Sequence, residues 1–302
     1  MIKILVYGHN GWIGGQIINL LQNLNYEFIC GKSRVDDKEN VENEIKTILP
    51  SHIICLVGRT HGYIDNKYYP TIDYLEQPNK LVDNVRDNLF SPVVLAILSK
   101  KYNFHLTYMG TGCIFEYFNI DGYMSLVDKN GKNTLGFDEN SKPNFFGSSY
   151  SIVKGYTDEL MHLFDDTVLN VRIRMPITAE KNPRNFIRKI ISYENICSIP
   201  NSMSVLPELL PIMIDMLIKN ITGTINLSNP GLISHNEILE MYKEIIDPLF
   251  TWKNFTIEEQ NEILSAKRSN NCLDTTKLSK LYPNVKHIKD AIRITLNNMK
   301  IA

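Results

Sequence analysis

The chain has 302 residues, a formal net charge of −1, and 43% hydrophobic and 22% charged residues. That balance describes a globular protein able to bury a substantial core, as one large domain or two. It carries no basic excess that would point to nucleic acid, and no apolar run near the ~20 residues that span a bilayer.

The first sixteen residues, MIKILVYGHNGWIGGQ, read as strand, glycine turn and helix. Ile2, Ile4, Leu5 and Val6 form the apolar run of a buried strand. Gly8, Gly11 and Gly14 follow at G-x-x-G-x-x-G spacing, and apolar residues then recur at helical period from Ile13 to Leu21. Small residues let the backbone reach a pyrophosphate, and a helix N-terminus offers N–H groups to its charge. The candidate dinucleotide contacts are Gly8, Asn10, Gly11, Trp12, Ile13 and Gly14. A strand at the N-terminus leaves no room for a cleavable signal. The five cysteines, odd in number and widely spaced, form neither a disulfide framework nor a zinc pattern. A cytoplasmic protein without a metal is expected.

A second strand covers Tyr26–Gly31. Where NAD-selective folds place an acid after this strand, the chain has Lys32, Ser33 and Arg34, two cations and a hydroxyl suited to a 2′-phosphate. NADPH is the expected cofactor, with NADH as the alternative. A helix over Val41–Leu49, a third strand over His52–Val57, a polar and aromatic loop, a long helix over Leu81–Tyr102 kinked at Pro92, and a fourth strand over Leu106–Met109 complete a βα alternation. It predicts an α/β fold, a Rossmann-like doubly wound parallel sheet covered on both faces. Phe115–Phe146 reads as a long connection. Ser148–Phe164 returns to helix and Val168–Arg174 to strand. Beyond Met175 the periods are mixed, with short helices at Asn185–Ser192, Pro207–Lys219, Ser234–Ile245 and Lys286–Met299 and a strand at Gly223–Leu227. Residues 1–174 are expected to hold the cofactor and the chemistry. Residues 175–302 form a smaller substrate-binding region, interleaved with the first.

Tyr150-Ser-Ile-Val-Lys154 is the second informative motif. Residues four apart share a helix face, so phenol and ammonium enter the same space. A phenol with a pKa of about 10 is a weak acid or base at neutral pH, and a neighbouring cation brings it down. At the end of the fourth strand, where ligands of open α/β sheets gather, Thr111 is placed to hydrogen-bond a substrate carbonyl. Cys113, two residues on, offers a thiol whose ordinary pKa of about 8.5 suits acid–base work, the ordinary alternative being a buried structural cysteine.

Glycine turn, threonine and Tyr-x-x-x-Lys together resemble the extended short-chain dehydrogenase/reductases that act on nucleotide sugars. MGTGCIFEY, VRIRMPI, NPRNFI, IPNSM, ELLPI, NPGLISHNEILEMY and RSNN resemble, over nearly the full length, the UDP-4-keto-6-deoxyglucose 3,5-epimerase/4-reductases. These form the UDP-L-rhamnose synthase type of plants and large DNA viruses. The resemblance implies two steps in one site: proton exchange at C3 and C5 beside a 4-keto group, then reduction at C4. By motif the epimerising acid–base pair falls on Cys113 and Lys189. Tyr150 is the proton donor in reduction, Lys154 tunes it and contacts the ribose, and Thr111 polarises the carbonyl. Asn185 and Arg268 are candidates for the substrate's diphosphate. Asn88 would orient Lys154 through water. His235 is read only as part of a helix N-terminus, with Ser234 and Glu237 forming a capping box.

Sugar 4,6-dehydratases carry Thr-Asp-Glu where this chain has Thr111-Gly112-Cys113. An upstream UDP-glucose 4,6-dehydratase is therefore the expected metabolic partner, and a homodimer the expected assembly. The competing readings are a GDP-4-keto-6-deoxymannose epimerase/reductase, a dTDP-4-keto-rhamnose reductase and, from another class, a non-catalytic NADP(H)-sensing binding protein.

Overall fold

The computed structural model describes residues 2–117 and 136–301. Six strands form one sheet: β1 (Ile4–Tyr7), β2 (Phe28–Cys30), β3 (His52–Cys55), β4 (His105–Thr111), β5 (Val168–Ile173) and β6 (Gly223–Asn226), in the order β6-β5-β4-β3-β1-β2. Ile4 pairs with Phe28 and with His52, and His52 with His105, all in parallel register. β1, β3 and β4 are buried almost throughout, as expected of strands covered on both faces. The sheet order reverses at β1, between β2 and β3, and a doubly wound sheet binds its ligands beyond the carboxyl ends of the strands at such a point.

Helices α1 (Trp12–Asn23) and α2 (Lys38–Ile48) follow β1 and β2. The expected long helix is three pieces: α3 (Leu81–Val85), a π-helical turn (Arg86–Phe90) and α4 (Ser91–Tyr102). Pro92 stands just after the π turn, in the first turn of α4. It has no N–H for the carbonyl four residues back, that of Asn88, and this carbonyl instead accepts from Thr157 Oγ1 at 2.7 Å. Thr157 lies on α5 (Ser149–Met161), so the defect in one helix becomes a hydrogen bond to its neighbour. The stretch after β3, expected as loop, contains an antiparallel hairpin, Gly62–Ile64 with Lys67–Tyr69. Its two turn residues, Asp65 and Asn66, have positive φ of 45° and 65°.

The chain divides into two compact units. One comprises Met1–Ile114, Phe145–Arg172 and Met213–Ile225, the other Phe115–Asn144, Ile173–Ile212 and Asn226–Ala302. The core of the first includes Leu5, Ile53, Val94, Leu98, Leu106 and Met161. In the second, Ile187, Ile190, Met203, Ile238, Ile292 and Leu296 pack together. Each such side chain contributes about 1.5–3 kcal/mol when fully buried. Of the connection expected over Phe115–Phe146, residues 118–135 lie outside the described residues. Two helices escaped the sequence, Ile257–Ile263 and Thr276–Leu281, being only seven and six residues long. Among the described residues no helix is long and apolar enough to cross a membrane, and no cluster of side chains could hold a metal ion.

Among the described residues His52 and His105 are buried, and His235 is half-buried. His52 and His105 face each other at the starts of β3 and β4, 5.5 Å between ring centroids, bonded to Asn220 Oδ1 and to the Ile221 carbonyl. Burial holds both below the usual imidazole value, although these hydrogen bonds act against it. His235 opens the helix His235–Ile245, behind the capping box that Ser234 and Glu237 form as expected. Burial, then Arg174, holds His235 down to about 4. A folded-state pKa below the unfolded value of about 6.5 means that the unfolded chain binds the proton better. Stability is then complete above about pH 6.5 and drains as the pH falls. His235 alone should cost about 2 kcal/mol at pH 5. Thermal melts should therefore show a marked drop in Tm from pH 7 to pH 5, smaller in His235→Gln and smaller again in the triple Gln variant. A parent Tm flat across that range would refute the assignment.

Candidate active site

At the carboxyl end of β1, Gly8 takes φ +82°, and a Cβ there would sit 2.7 Å from the Leu56 carbonyl carbon beyond β3. Gly11 N–H returns to the Gly8 carbonyl at 3.1 Å. A Cβ on Gly14 would overlap that same carbonyl oxygen and lie 2.7 Å from the His9 backbone. The turn is thus closed on itself, and α1 begins from Gly11 with no side-chain cap. Such a cradle fits a dinucleotide pyrophosphate. Asn10 is exposed, with Trp12 and Ile13 partly buried behind it.

At the end of β2 the side chain of Glu44, from α2, accepts from Lys32 N–H at 2.7 Å, Ser33 N–H at 3.0 Å and Tyr7 O–H at 2.9 Å. Arg34 forks onto Asp36 at 3.0 and 3.2 Å. Deeper, the 6% exposed Asp87 receives Arg59 Nε at 2.5 Å and Arg86 Nε at 2.9 Å.

The catalytic candidates of the first unit lie around α5. Ser148 caps this helix through Ser151 N–H, and Glu76 accepts from both the N–H and the hydroxyl of Ser149. Tyr150 is thereby set at the first turn, partly buried. One turn on, Lys154 is 5% exposed and donates to the Tyr108 hydroxyl. Burial lowers its pKa to about 8, with Cys55, Asp158 and Cys113 pulling back upward. Lys154 and Cys113 thus share one electrostatic neighbourhood. A further turn on, Asp158 grips the fully buried Arg172 with two bonds, of 2.9 and 2.6 Å, and accepts from Asn170. Thr111 ends β4, and its hydroxyl accepts from Cys113 N–H at 3.0 Å, which leaves its own proton to donate. Asn88 is buried. Its amide is committed to the Arg59 N–H and carbonyl and to Asn84, and the direct partner of Lys154 is Tyr108.

In the second unit Asn185 is wholly buried and caps the helix Phe186–Ile190. Its amide bonds Ile187 N–H and the Thr178 and Glu180 carbonyls, so in the structure it organises the loop that carries Lys189. Burial first, then the charges of Arg184 and Arg268, lower Lys189 to about 8. Arg184 was missed in the sequence, although it stands inside the NPRNF motif. Arg268 donates to the Ala266 carbonyl at 2.7 Å, while its neighbour Ser269 is held by Arg174 at 2.9 Å. Arg174 is 1% exposed and also bonds Asn201 and Ser202. Four of the motifs noted in the sequence, CIFEY, VRIRMPI, IPNSM and RSNN, are therefore tied into one polar network, completed by Asn271 on the Phe115 carbonyl.

A parallel sheet reversing at a glycine turn, with Tyr150 and Lys154 four residues apart on a helix packed against β4, the strand that Thr111 ends, defines a Rossmann-type reductase with a nicotinamide cofactor. No family model matches the chain. The crystal structure of a UDP-rhamnose synthase from Acanthamoeba polyphaga mimivirus is 52% identical over 99% of each chain, with a TM-score of 0.92. A bifunctional dTDP-4-dehydrorhamnose 3,5-epimerase/dTDP-4-dehydrorhamnose reductase of Arabidopsis thaliana is 42% identical over 96% of this chain and 91% of its own length. A trifunctional Arabidopsis thaliana enzyme, named as UDP-glucose 4,6-dehydratase, 3,5-epimerase and 4-keto-rhamnose reductase, is also 42% identical, and this chain spans 41% of its length. The dTDP-4-dehydrorhamnose reductase of Bacillus anthracis, solved with NADP, shares the fold at 17% identity and TM-score 0.76, covering 98% of this chain and 99% of its own. The chain belongs to the family of nucleotide-sugar 3,5-epimerase/4-reductases.

The two adjacent glycines of α1 make a paired test. Gly14→Ala should lower stability by about 1–3 kcal/mol and abolish measurable nicotinamide-cofactor binding, because its Cβ meets backbone. Nothing lies within 4 Å of a Cβ on Gly15. Gly15→Ala should raise stability by about 0.5–1 kcal/mol and leave binding intact. Calorimetry and cofactor fluorescence would read both, and equal behaviour of the two variants would contradict the cradle.

Proposed function

We propose that the protein is a bifunctional 3,5-epimerase/4-reductase that converts UDP-4-keto-6-deoxy-D-glucose to UDP-L-rhamnose with NADPH. The observation that carries this reading is the 52% identity, over 99% of both chains, to the viral UDP-rhamnose synthase. The first unit then holds the cofactor and the reducing residues, and the second serves mainly the nucleotide sugar. A homodimer in the cytoplasm belongs to the same proposal. The keto sugar comes from a separate 4,6-dehydratase activity, since the acid and base for expelling water are replaced by Gly112 and Cys113.

The 4-keto group acidifies the hydrogens at C3 and C5. Cys113 and Lys189 remove and return these protons; a lysine lowered to about 8 is a base poised near working pH. Thr111 donates its hydroxyl proton toward the carbonyl oxygen. When bound, NADPH supplies the hydride for C4. Tyr150 delivers the proton to the forming alkoxide, and the Lys154 ammonium eases that transfer by favouring the phenolate left behind. Arg268, beside Arg184 and Lys189 in charge, serves the diphosphate.

The direct test is NMR of the sugar formed from UDP-4-keto-6-deoxyglucose and NADPH in deuterated water, with UDP- and dTDP-sugars in competition. Cys113→Ser should bind NADPH normally yet lose rhamnose formation about 10²–10⁴-fold, together with deuterium uptake at C3 and C5. Tyr150→Phe should lose reduction and keep the uptake. Rhamnose formation and exchange at parent rates in Cys113→Ser would make the thiol structural.

Cofactor choice is a separate expectation. Lys32→Ala with Arg34→Ala should weaken NADPH at least about ten-fold, the scale of one charge-assisted hydrogen bond, and NADH hardly at all. Equal changes in the two dissociation constants would assign both cations to solvent.

A further inference from the structure

Tyr108 is a second phenol beside the reducing pair. It lies on β4, three residues before Thr111, and is 1% exposed. Its hydroxyl oxygen accepts from Lys154 Nζ, which lies 4.6 Å from its ring centroid. Neither the glycine turn nor the Tyr-x-x-x-Lys spacing requires a tyrosine at this place. A phenylalanine would fill the same volume and leave the buried ammonium one acceptor short.

The chemistry of the pair runs in one direction. Burial, reinforced by Cys55, Tyr150 and Asp158, keeps the Tyr108 hydroxyl well above the usual phenol value, so it keeps its own proton and stays neutral. What it gives is a lone pair, and a hydrogen bond to the charged form favours that form. Burial pulls the other way, to about 8, and the remaining titratable groups around the ammonium are Cys55, Cys113 and Asp158. Tyr108 is also electrically coupled to Tyr150, so both members of the reducing pair sense the same hydroxyl.

We propose that Tyr108 is a positioning residue for reduction: its hydroxyl holds the Lys154 ammonium charged and in one place behind Tyr150. This rests on the reading of Tyr150 and Lys154 as the reducing pair. If Tyr108 only fills space, Tyr108→Phe is silent in everything except stability. If it holds the proton on Lys154, the variant loses the ammonium at lower pH.

The test titrates Lys154 directly, by NMR of protein carrying 13C at lysine Cε, the signal being assigned through Lys154→Met. Tyr108→Phe should move the Lys154 midpoint down by about one pH unit. With the keto sugar and NADPH, the alkaline limb of kcat for reduction should shift by the same amount. Rates at pH 6 should stay within two-fold of the parent, and deuterium uptake at C3 and C5 should be unchanged. Should Tyr108→Phe be unstable, p-aminophenylalanine at position 108 keeps the ring with a weaker acceptor, and the shift should have the same sign. An unmoved midpoint, or an equal loss of rate at every pH, overturns the proposal. A parent enzyme inert toward the keto sugar would instead sink the functional reading, while the Lys154 titration still decides the role of Tyr108.

Discussion

The ammonium of Lys154, carried into the interior of the first unit, constrains everything built around it. Burying a charge is costly unless polar groups surround it. Its neighbours come from β3 (Cys55), from β4 (Tyr108), from the turn beyond β4 (Cys113) and from its own helix (Asp158). Asp158 is in turn held by Arg172 of β5. The helix bearing Tyr150 is thus fastened to the sheet through charge and hydrogen bonds, and its first turn is pinned by Glu76. The Asn88–Thr157 bond adds a third fastening, at the one carbonyl that Pro92 strands. The proposed role of Tyr150 as proton donor calls for such a mount, because a small misplacement of a catalytic group is expensive.

The second unit solves a comparable problem with neutral groups. Arg174 is fully buried, and the partners that hold its guanidinium include serine and asparagine oxygens. The same asparagines and serines cross-link the segments around residues 115, 201 and 270. Arg268 and Glu116 emerge from the edges of this network, Glu116 carrying a carboxyl that burial raises. Their positions are thereby set by a buried polar network beside the apolar cluster of the same unit. Substituting any one member would leave a buried polar atom unmatched, at about 1–3 kcal/mol.

Gly8, Gly11, Gly14, Tyr150, Lys154 and the succession of strands along the chain were legible in the sequence because each depends on local spacing: a turn, a helical repeat, an apolar run. The capping box at Ser234 is local in the same way. Tyr108 and Arg184 were not legible as partners of Lys154 and Lys189. The role of Tyr108 arises only when a strand meets a helix, whereas Arg184 stands in the same short motif as Lys189 and needed only the helix turn to bring their charges together. The π turn was read as a proline kink because the missing N–H is visible in sequence, whereas Thr157, the donor that compensates for it, is not. Asn185 looked like a ligand contact from its motif, and its cap to Ile187 becomes visible only with the helix in place.

An acid does stand at the end of β2, although the chain offers none there in sequence. Glu44 arrives from α2 and spends its oxygens on Lys32 N–H, Ser33 N–H and the Tyr7 hydroxyl. Burial works against its charge, yet those donors outweigh it and hold the carboxyl below its ordinary range. A carboxylate so committed shapes the turn instead of receiving a ribose hydroxyl. Arg34, by contrast, is 64% exposed; it forks onto the half-buried Asp36 and lies 3.9 Å from the buried Asp87, a distance too long for a hydrogen bond. A pair of that kind is worth about 0–1 kcal/mol. Turning Arg34 toward a phosphate would give up less than a charge-assisted hydrogen bond returns, about 1.5–3 kcal/mol. The geometry at this edge therefore leaves a cation cheap to recruit and an acid expensive to redirect.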